Sequence, residues 1–172
     1  MKRISIFALA VTFSWLLGGQ LSWAQKSNDK ERAELAKALK DAKVSLEKGL
    51  SASEGQGKPI SGKFEMEDGK LQLSVYTMKG DKFSEVIVDH KTGKVAKTGA
   101  ITGGGDLTAA KAQSAAMAKA KLSLRAAAEN AVKANKGFLA VSAMPSLKDG
   151  HPVAEITLVK GDEFKTVSEK LD

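Results

Sequence analysis

The chain has 172 residues, a formal net charge of +7 and no cysteine, so its length suits one medium domain or two small ones. Without cysteine, disulfides, thiol chemistry and cysteine-based metal sites are excluded, and an apolar core has to hold the fold. The positive charge comes mostly from lysines interleaved with acids, and only 5% of the residues are aromatic. Nucleic-acid binding is therefore not predicted, because arginine forks and stacking surfaces are both scarce.

Residues 1–24 have the pattern of a secretory signal peptide. A basic start at residues 2–3 precedes an uncharged apolar run over residues 4–17, and Ser22-Trp23-Ala24 places small residues before a cleavage point. The apolar run is shorter than the ~20 residues of a membrane-spanning helix, so the pattern favours cleavage over an anchor. We expect an exported protein of the bacterial periplasm or the cell exterior, with no stable membrane anchor after cleavage.

Two helices are predicted after the cleavage point. Residues 25–29 are polar and read as a loose segment, whereas residues 30–43 are rich in Ala, Leu, Lys and Glu, which favours a helix. Ser45 has the character of an N-cap for a second, shorter helix from Leu46 to about Ser53. Pro59 prevents that helix from resuming.

A run of short strands follows in residues 60–101. Apolar and polar side chains alternate, which predicts strands with one covered face and one wet face. Asp68-Gly69 marks a hairpin turn, because this pair tolerates the positive φ that a tight turn requires. The last strand is rich in lysine and suits a sheet edge. The predicted strands are 60–67, 70–79, 83–89 and 94–101.

A weaker copy of the same pattern follows a glycine-rich stretch at residues 102–106. This stretch reads as a linker rather than a phosphate loop, because no Lys-Ser or Lys-Thr ends it. Asp149-Gly150 repeats the hairpin turn, and Pro145 predicts an edge or a bulge in its strand. The second copy stops before a fourth strand. Its predicted elements are helices at 106–121 and 124–135 and strands at 138–146 and 153–160, followed by a repeat of the Gly-Asp turn.

The predicted fold class is α+β, with two repeats of a helix pair packed on an antiparallel β-meander. The first repeat spans residues 25–101 and the second, truncated repeat spans residues 107–172. The pattern leaves open whether the repeats form separate domains or one joined sheet.

Several motifs resemble the PepSY domain family. In the first repeat they are Val44-Ser45-Leu46-Glu47, the Asp68-Gly69 and Gly80-Asp81 turns, and the run EVIVDHKTGKV over residues 85–95. In the second repeat they are Leu122-Ser123-Leu124 and the runs at 148–156 and 161–164. The second repeat departs from the family by ending before its aspartate-to-glycine turn.

The PepSY resemblance implies a role in binding and restraint. Such domains occur in propeptides of thermolysin-like metallopeptidases, in membrane-anchored envelope proteins and in small exported proteins, and their proposed role is to restrain peptidases. Their fold is similar to that of the beta-lactamase inhibitor protein. The resemblance therefore implies a non-enzymatic binding module that restrains or inhibits a peptidase, or binds another envelope protein.

No catalytic residue, cofactor or metal site is predicted from the sequence. No Gly-x-Ser-x-Gly elbow occurs, and His90 and His151 lie at strand–turn junctions where an exposed turn residue is the expected role. Two alternatives stay open. One is an envelope protein that binds a small ligand or a metal, which predicts a pocket between helices and sheet. The other is a protein that uses its spread lysines at an anionic membrane surface.

Four side chains are the candidate partner-binding residues: Tyr76, Met78, Phe83 and Ile87. They fall on the strand faces opposite the main apolar alternation, so the second face of the sheet is expected to be partly apolar. An exposed apolar sheet face is typical of a partner surface. The alternative is that the other repeat or a dimer mate covers this face.

Overall fold

The computed structural model describes residues 21–172, with side chains from Asp29 onward, so the predicted signal peptide lies mostly outside the described residues. Four helices and seven antiparallel strands confirm the α+β class. The elements are α1 (Leu21–Leu39), α2 (Leu46–Ser53), β1 (Lys58–Glu67), β2 (Lys70–Lys79), β3 (Lys82–Val88), β4 (Val95–Ile101), α3 (Gly104–Lys119), α4 (Leu124–Ala134), β5 (Leu139–Lys148), β6 (His151–Lys160) and β7 (Glu163–Lys170).

Both repeats contribute to one sheet of order β4-β3-β2-β1-β5-β6-β7. Its centre is the antiparallel pairing of β1 with β5, at Gly62 with Ala143 and Lys63 with Ser142. These are the first strands of the two repeats, and α2 packs against α4 across the same centre. An approximate two-fold axis perpendicular to the sheet therefore relates the repeats, and it passes beside the Gly62–Ala143 pair.

Backbone hydrogen bonds show how closely the repeats correspond. The amides of Lys43 and Val44 donate to the His90 carbonyl at 2.8 and 3.1 Å. In the second repeat, Lys121 and Leu122 donate to the carbonyl of Leu171 at 2.7 and 3.0 Å. The loop between each pair of helices is therefore tied to the end of the third strand of its own repeat.

Two serines cap the second helix of each repeat. The Ser45 hydroxyl oxygen accepts a bond of 3.3 Å from the Lys48 amide, and Ser123 accepts one of 3.2 Å from the Ala126 amide. Each bond satisfies one of the amides that a helix start leaves without an internal partner. The predicted N-cap at Ser45 and the predicted range of α2 are confirmed.

The two Asp-Gly hairpin turns have the predicted backbone conformation. Asp68 and Gly69 have φ values of 48° and 73°, and Asp149 and Gly150 have values of 52° and 82°. Two consecutive residues with positive φ match the right-handed twist of the flanking strands. These turns fix the register of β1 on β2 and of β5 on β6.

Each face of the sheet carries helices. On one face, α2 packs on the first repeat and α4 on the second, and Leu46 and Leu50 lie over Gly62. On the opposite face, α3 packs on the sheet, and its Gln113 side chain accepts a hydrogen bond of 2.8 Å from the Ser61 hydroxyl. Ser61 and Gly62 are adjacent in β1, so the Ser61 side chain points to the α3 face, whereas a Cβ atom at Gly62 would point to the α2 face.

Several boundaries differ from the prediction. Helix α1 includes residues 25–29, which the sequence placed in a loose segment, and it ends at Leu39. Helix α3 begins at Gly104, inside the predicted linker. Strand β5 continues through Pro145 to Lys148, and its irregularity lies between Ala140 and Ser142. Pro145 is tolerated because the pairing with β1 has already ended on that side of β5.

Candidate binding groove

The four predicted partner residues do not form one exposed surface. Tyr76 is only 4% exposed, Met78 and Phe83 are half-buried against the core, and Ile87 is half-buried. The Ser114 hydroxyl of α3 lies 2.8 Å from the Met78 sulfur. Because α3 belongs to the second repeat, the other repeat covers this part of the face, and Tyr76 is corrected from a surface residue to a core residue.

Polar side chains under and beside α3 bond to one another. The Ser74 hydroxyl donates to Glu85 Oε1 at 2.5 Å, and Lys63 forms an ion pair with Glu65. Burial raises the pKa of Glu65 above its ordinary value, while the nearby Lys63 ammonium opposes the shift. Burial, followed by a hydrogen bond with Asp106, also raises the pKa of Tyr76. Each of these pairs partly offsets the cost of burying its polar groups.

The two histidines occupy different positions in their repeats. His90 follows the end of β3, and its carbonyl ties down the loop after α1. His151 begins β6, and its Nδ1 lies 2.7 Å from Asp172 Oδ2, which lowers the pKa of Asp172. Among the residues with described side chains, no group of three or more His, Cys, Asp or Glu is arranged to hold a metal ion.

A groove of about 620 Å³ lies beside the centre of the sheet, where β1 and β5 diverge. The two strands pair at only two positions, and the irregularity of β5 between Ala140 and Ser142 interrupts the ladder. The end of α1, the start of α2 and the second half of α4 form walls of the groove. Its apolar lining residues are Leu39, Ala42, Val44, Phe64, Val132, Leu139, Ala140 and Val141.

The groove combines a buried floor with an exposed rim. Phe64 and Val141 are only 5% and 3% exposed, whereas Leu139 is 60% exposed. Leu139 is the most exposed of the three large apolar side chains that stand out from the described surface. An apolar surface that begins at an exposed leucine and continues inward to a buried phenylalanine is suited to bind an apolar group.

Two basic and two acidic side chains lie among the lining residues of the groove. Lys43 and Lys133 lie at the rim with Glu47 and Glu129. Glu129 accepts a bond of 2.8 Å from Arg125, one turn earlier in α4, so its charge is partly compensated. The rim therefore favours no strongly charged ligand, and apolar burial has to supply most of the binding energy.

The sequence did not identify the groove residues as a site. The small-ligand alternative predicted a pocket between helices and sheet, but the lining comes from α1, α2, α4, β1 and β5. No local motif joins residues so far apart in the chain. The available signal was Leu139, an apolar residue two positions after Gly137, near the start of the strand predicted over residues 138–146.

Comparison with known proteins gives no family for this chain: no protein-family model, no curated protein and no solved structure matches it. Across residues 21–172, no helix has both the length and the apolar character needed to cross a membrane.

Proposed function

We propose that the protein is a non-enzymatic, exported binding module of the PepSY type that uses the groove to hold an apolar side chain of a protein partner. The partner classes are a peptidase that the module restrains, or another envelope protein. The α+β class, with four helices and one antiparallel sheet in the described residues, is compatible with the class that the PepSY resemblance implies. The observation that carries the proposal is Leu139, which is 60% exposed at the rim of an apolar groove.

A protein segment fits the groove for two reasons. The site is open along one side rather than enclosed, because it lies where two strands separate under three helices. Its rim carries both lysines and glutamates, as in the mixed polar rim that surrounds the apolar centre of protein interfaces. Covering a leucine fully is worth about 1.5–3 kcal/mol, so Leu139 is the expected main contributor on this side.

The test compares two exposed leucines of the same strand. The whole chain, purified as the host processes it, is used to capture proteins from an envelope extract of the source cell. The Leu139→Asp variant is expected to lose a specific partner, and the Leu147→Asp variant to keep it, because Leu147 is 42% exposed and does not line the groove. A retained peptidase is then assayed for inhibition by the two variants and the parent chain. Equal capture by both variants would rule out the groove as the partner site.

A small apolar ligand is the second candidate, because the groove volume lies within the usual range for ligand pockets, about 300–1,000 Å³. Sodium dodecanoate is a suitable probe, since its chain matches the lining and its carboxylate suits Lys43 or Lys133. If it binds, the melting temperature rises with ligand concentration. The Val132→Asp variant should abolish that rise. An unchanged melting temperature in the parent chain would remove this candidate.

A further inference from the structure

The outer edge of β7 is a regular strand edge. Within residues 21–172 no strand pairs with it, although its inner edge pairs with β6 without interruption from Glu163 to Lys170. The opposite edge of the sheet is less regular, because the register of β4 on β3 shifts between Ile87 and Val88. An unbroken edge presents a row of backbone amides and carbonyls that another strand can bond.

The first repeat shows how a strand can pair along the outer edge of the third strand of a repeat. Phe164 follows the Gly161-Asp162 turn as Phe83 follows the Gly80-Asp81 turn, so β7 corresponds to β3. In the first repeat, β4 pairs along the outside of β3, with Ile101 opposite Phe83. The corresponding place beside β7 is open in the described part of the chain.

Helix α1 reaches the edge of the sheet at β7. The Arg32 guanidinium carbon lies 5.7 Å from the centre of the Phe164 ring, and Leu39 at the other end lines the groove beside Phe64. The helix therefore runs from the β7 edge towards β1 and β2, the strands that it contacts most. The side chains of residues 29–34 are all exposed.

The matching helix of the second repeat has a sheet beneath it. Counting back equally from the two N-cap serines aligns Arg32 with Ala110, which is fully buried. The strand order differs in the same way, because β4 lies outside β3 in the first repeat, whereas no described strand lies outside β7 in the second repeat. The open edge of β7 and the exposed first part of α1 together form a binding site for one more strand.

We propose that a second copy of the chain occupies this strand-binding site. Its β7 pairs antiparallel with β7 of the first copy across a two-fold axis at Val167. Opposed residues must point to the same face of a continuous sheet, so only every second register is allowed. Centred on Val167, the pairing places Lys165 opposite Glu169 twice. Centred on Thr166, it would place Glu163 opposite Glu169, which is repulsive. Centred on Ser168, it opposes no pair of unlike charges.

The helices are compatible with this pairing. Helix α1 crosses the end of the sheet where β7 begins, and a two-fold axis places the partner's α1 over the opposite end of the joined strands. Within one chain, α1 and α3 already cross opposite ends of the sheet: α1 reaches Phe64, whereas α3 reaches Met78 and Gly150. The dimer therefore repeats between chains the arrangement that relates the two repeats.

Charge reversal tests the register. Sedimentation velocity of the whole chain, purified as the host processes it, should show a monomer–dimer equilibrium. Lys165→Glu and Glu169→Lys each create two like-charge pairs, so each should weaken dimerisation by about tenfold or more. The double variant restores two attractive pairs and should return the dissociation constant to near its original value. Lys165 also lies 4.0 Å from the centre of the Phe138 ring. The double variant still lacks that contact with Phe138. A recovery of its dissociation constant would therefore come from the restored charge pairs alone.

A crosslink tests the axis independently of charge. The chain has no cysteine, and residues opposed across an antiparallel pair have Cβ atoms ~4.5–5.5 Å apart, close enough for a disulfide to form with small adjustments. The Val167→Cys variant should therefore give a disulfide-linked dimer on mild oxidation. The matched control is Thr98→Cys in the middle of β4, which should stay monomeric.

Three results would overturn the proposal. The first is a chain that remains monomeric up to its solubility limit. The second is a dimer that both single reversals leave intact, or that crosslinks through Thr98→Cys, because it would use another surface. The third is a monomer that binds an added peptide with the β4 sequence, which would assign the edge to a foreign strand. Dimerisation and groove binding use different residues, so the failure of one proposal would leave the other unaffected.

Discussion

Gly49 of α2 lies directly against Leu73 of β2, so that a Cβ atom at position 49 would lie 3.0 Å from Leu73 Cγ and closer still to Cδ2. The equivalent residues of the second repeat are Ala127 and Ala154, and both are fully buried. The first repeat therefore fills this layer with a glycine and a leucine, and the second fills it with two alanines. The equivalent positions of the two repeats therefore hold different distributions of side-chain volume.

This relationship predicts a compensating pair of substitutions. Gly49→Ala should lower the free energy of unfolding by about 1–3 kcal/mol, because the clash with a fully buried leucine outweighs the gain of about 1 kcal/mol in helix propensity. Leu73→Ala should cost about 2–5 kcal/mol through the cavity that it leaves. The double variant should cost less than the sum, because the new methyl group enters that cavity.

The measurement is urea unfolding of the parent and the three variants. Gly55→Ala is the matched control, since nothing lies within 4 Å of a Cβ atom at that position, and its effect should be small. Strictly additive costs would show that Gly49 and Leu73 do not share one packing site.

The hydrogen bond between Ser61 and Gln113 joins the two repeats on the α3 face. Both side chains are buried, and the Gln113 amide nitrogen also approaches the Met144 sulfur at 3.9 Å. Ser61→Ala should lower the free energy of unfolding by about 1–3 kcal/mol, because it leaves a buried amide oxygen without its donor.

Replacing both partners should restore most of that loss. In the Ser61→Ala, Gln113→Met double variant no buried polar atom of the pair remains to be satisfied, so stability should approach that of the parent in denaturant unfolding. Ser146→Ala, at an exposed position of β5, is the control and should have little effect. A double variant that is less stable than Ser61→Ala alone would contradict this account.

The N-cap serines should contribute similarly in both repeats. Ser45→Ala and Ser123→Ala should each lower stability by about 0.5–2 kcal/mol, because each removes the acceptor for one amide in the first turn of a helix. Thermal unfolding measures both effects against Ser51→Ala, an exposed interior position of α2. A cost at Ser51 equal to that at Ser45 would remove the capping explanation.

Asp89 should make stability depend on pH in the acidic range. Its Oδ1 accepts bonds of 2.7 Å from the Thr92 amide and 2.9 Å from the Lys91 amide, and these bonds lower its pKa below the ordinary 3.8. The unfolded chain therefore binds this proton more readily than the folded chain. The stabilisation is fully present above the ordinary pKa and is lost as the pH falls through the folded value.

The Asp89→Asn variant isolates this effect, because asparagine keeps a neutral acceptor. Its melting temperature should lie below that of the parent at pH 7, and the difference should close as the pH falls below the ordinary pKa of 3.8 and through the lower folded value. Asp81→Asn at the β2–β3 turn serves as the control. A difference that stays constant across this pH range would contradict the role of ionised Asp89.

The sequence determined the local structure well, because the relevant signals act over a few residues. Asp68-Gly69 and Asp149-Gly150 adopt the positive φ values that their composition predicts, and β2 has the predicted bounds. Ser45 caps α2 as its position suggested. The alternation of apolar and polar side chains identified β2 and β6, because a strand with one covered face places an apolar side chain at every second residue.

Only the tertiary structure decided how the repeats meet. Tyr76 has the sequence character of a partner residue, yet it is buried under a helix that begins about thirty residues later in the chain. Leu139 lies in a predicted strand without any sign of a site, yet it is 60% exposed where β1 and β5 diverge. Local patterns fix which face of a strand is apolar, but what covers that face depends on contacts between distant segments.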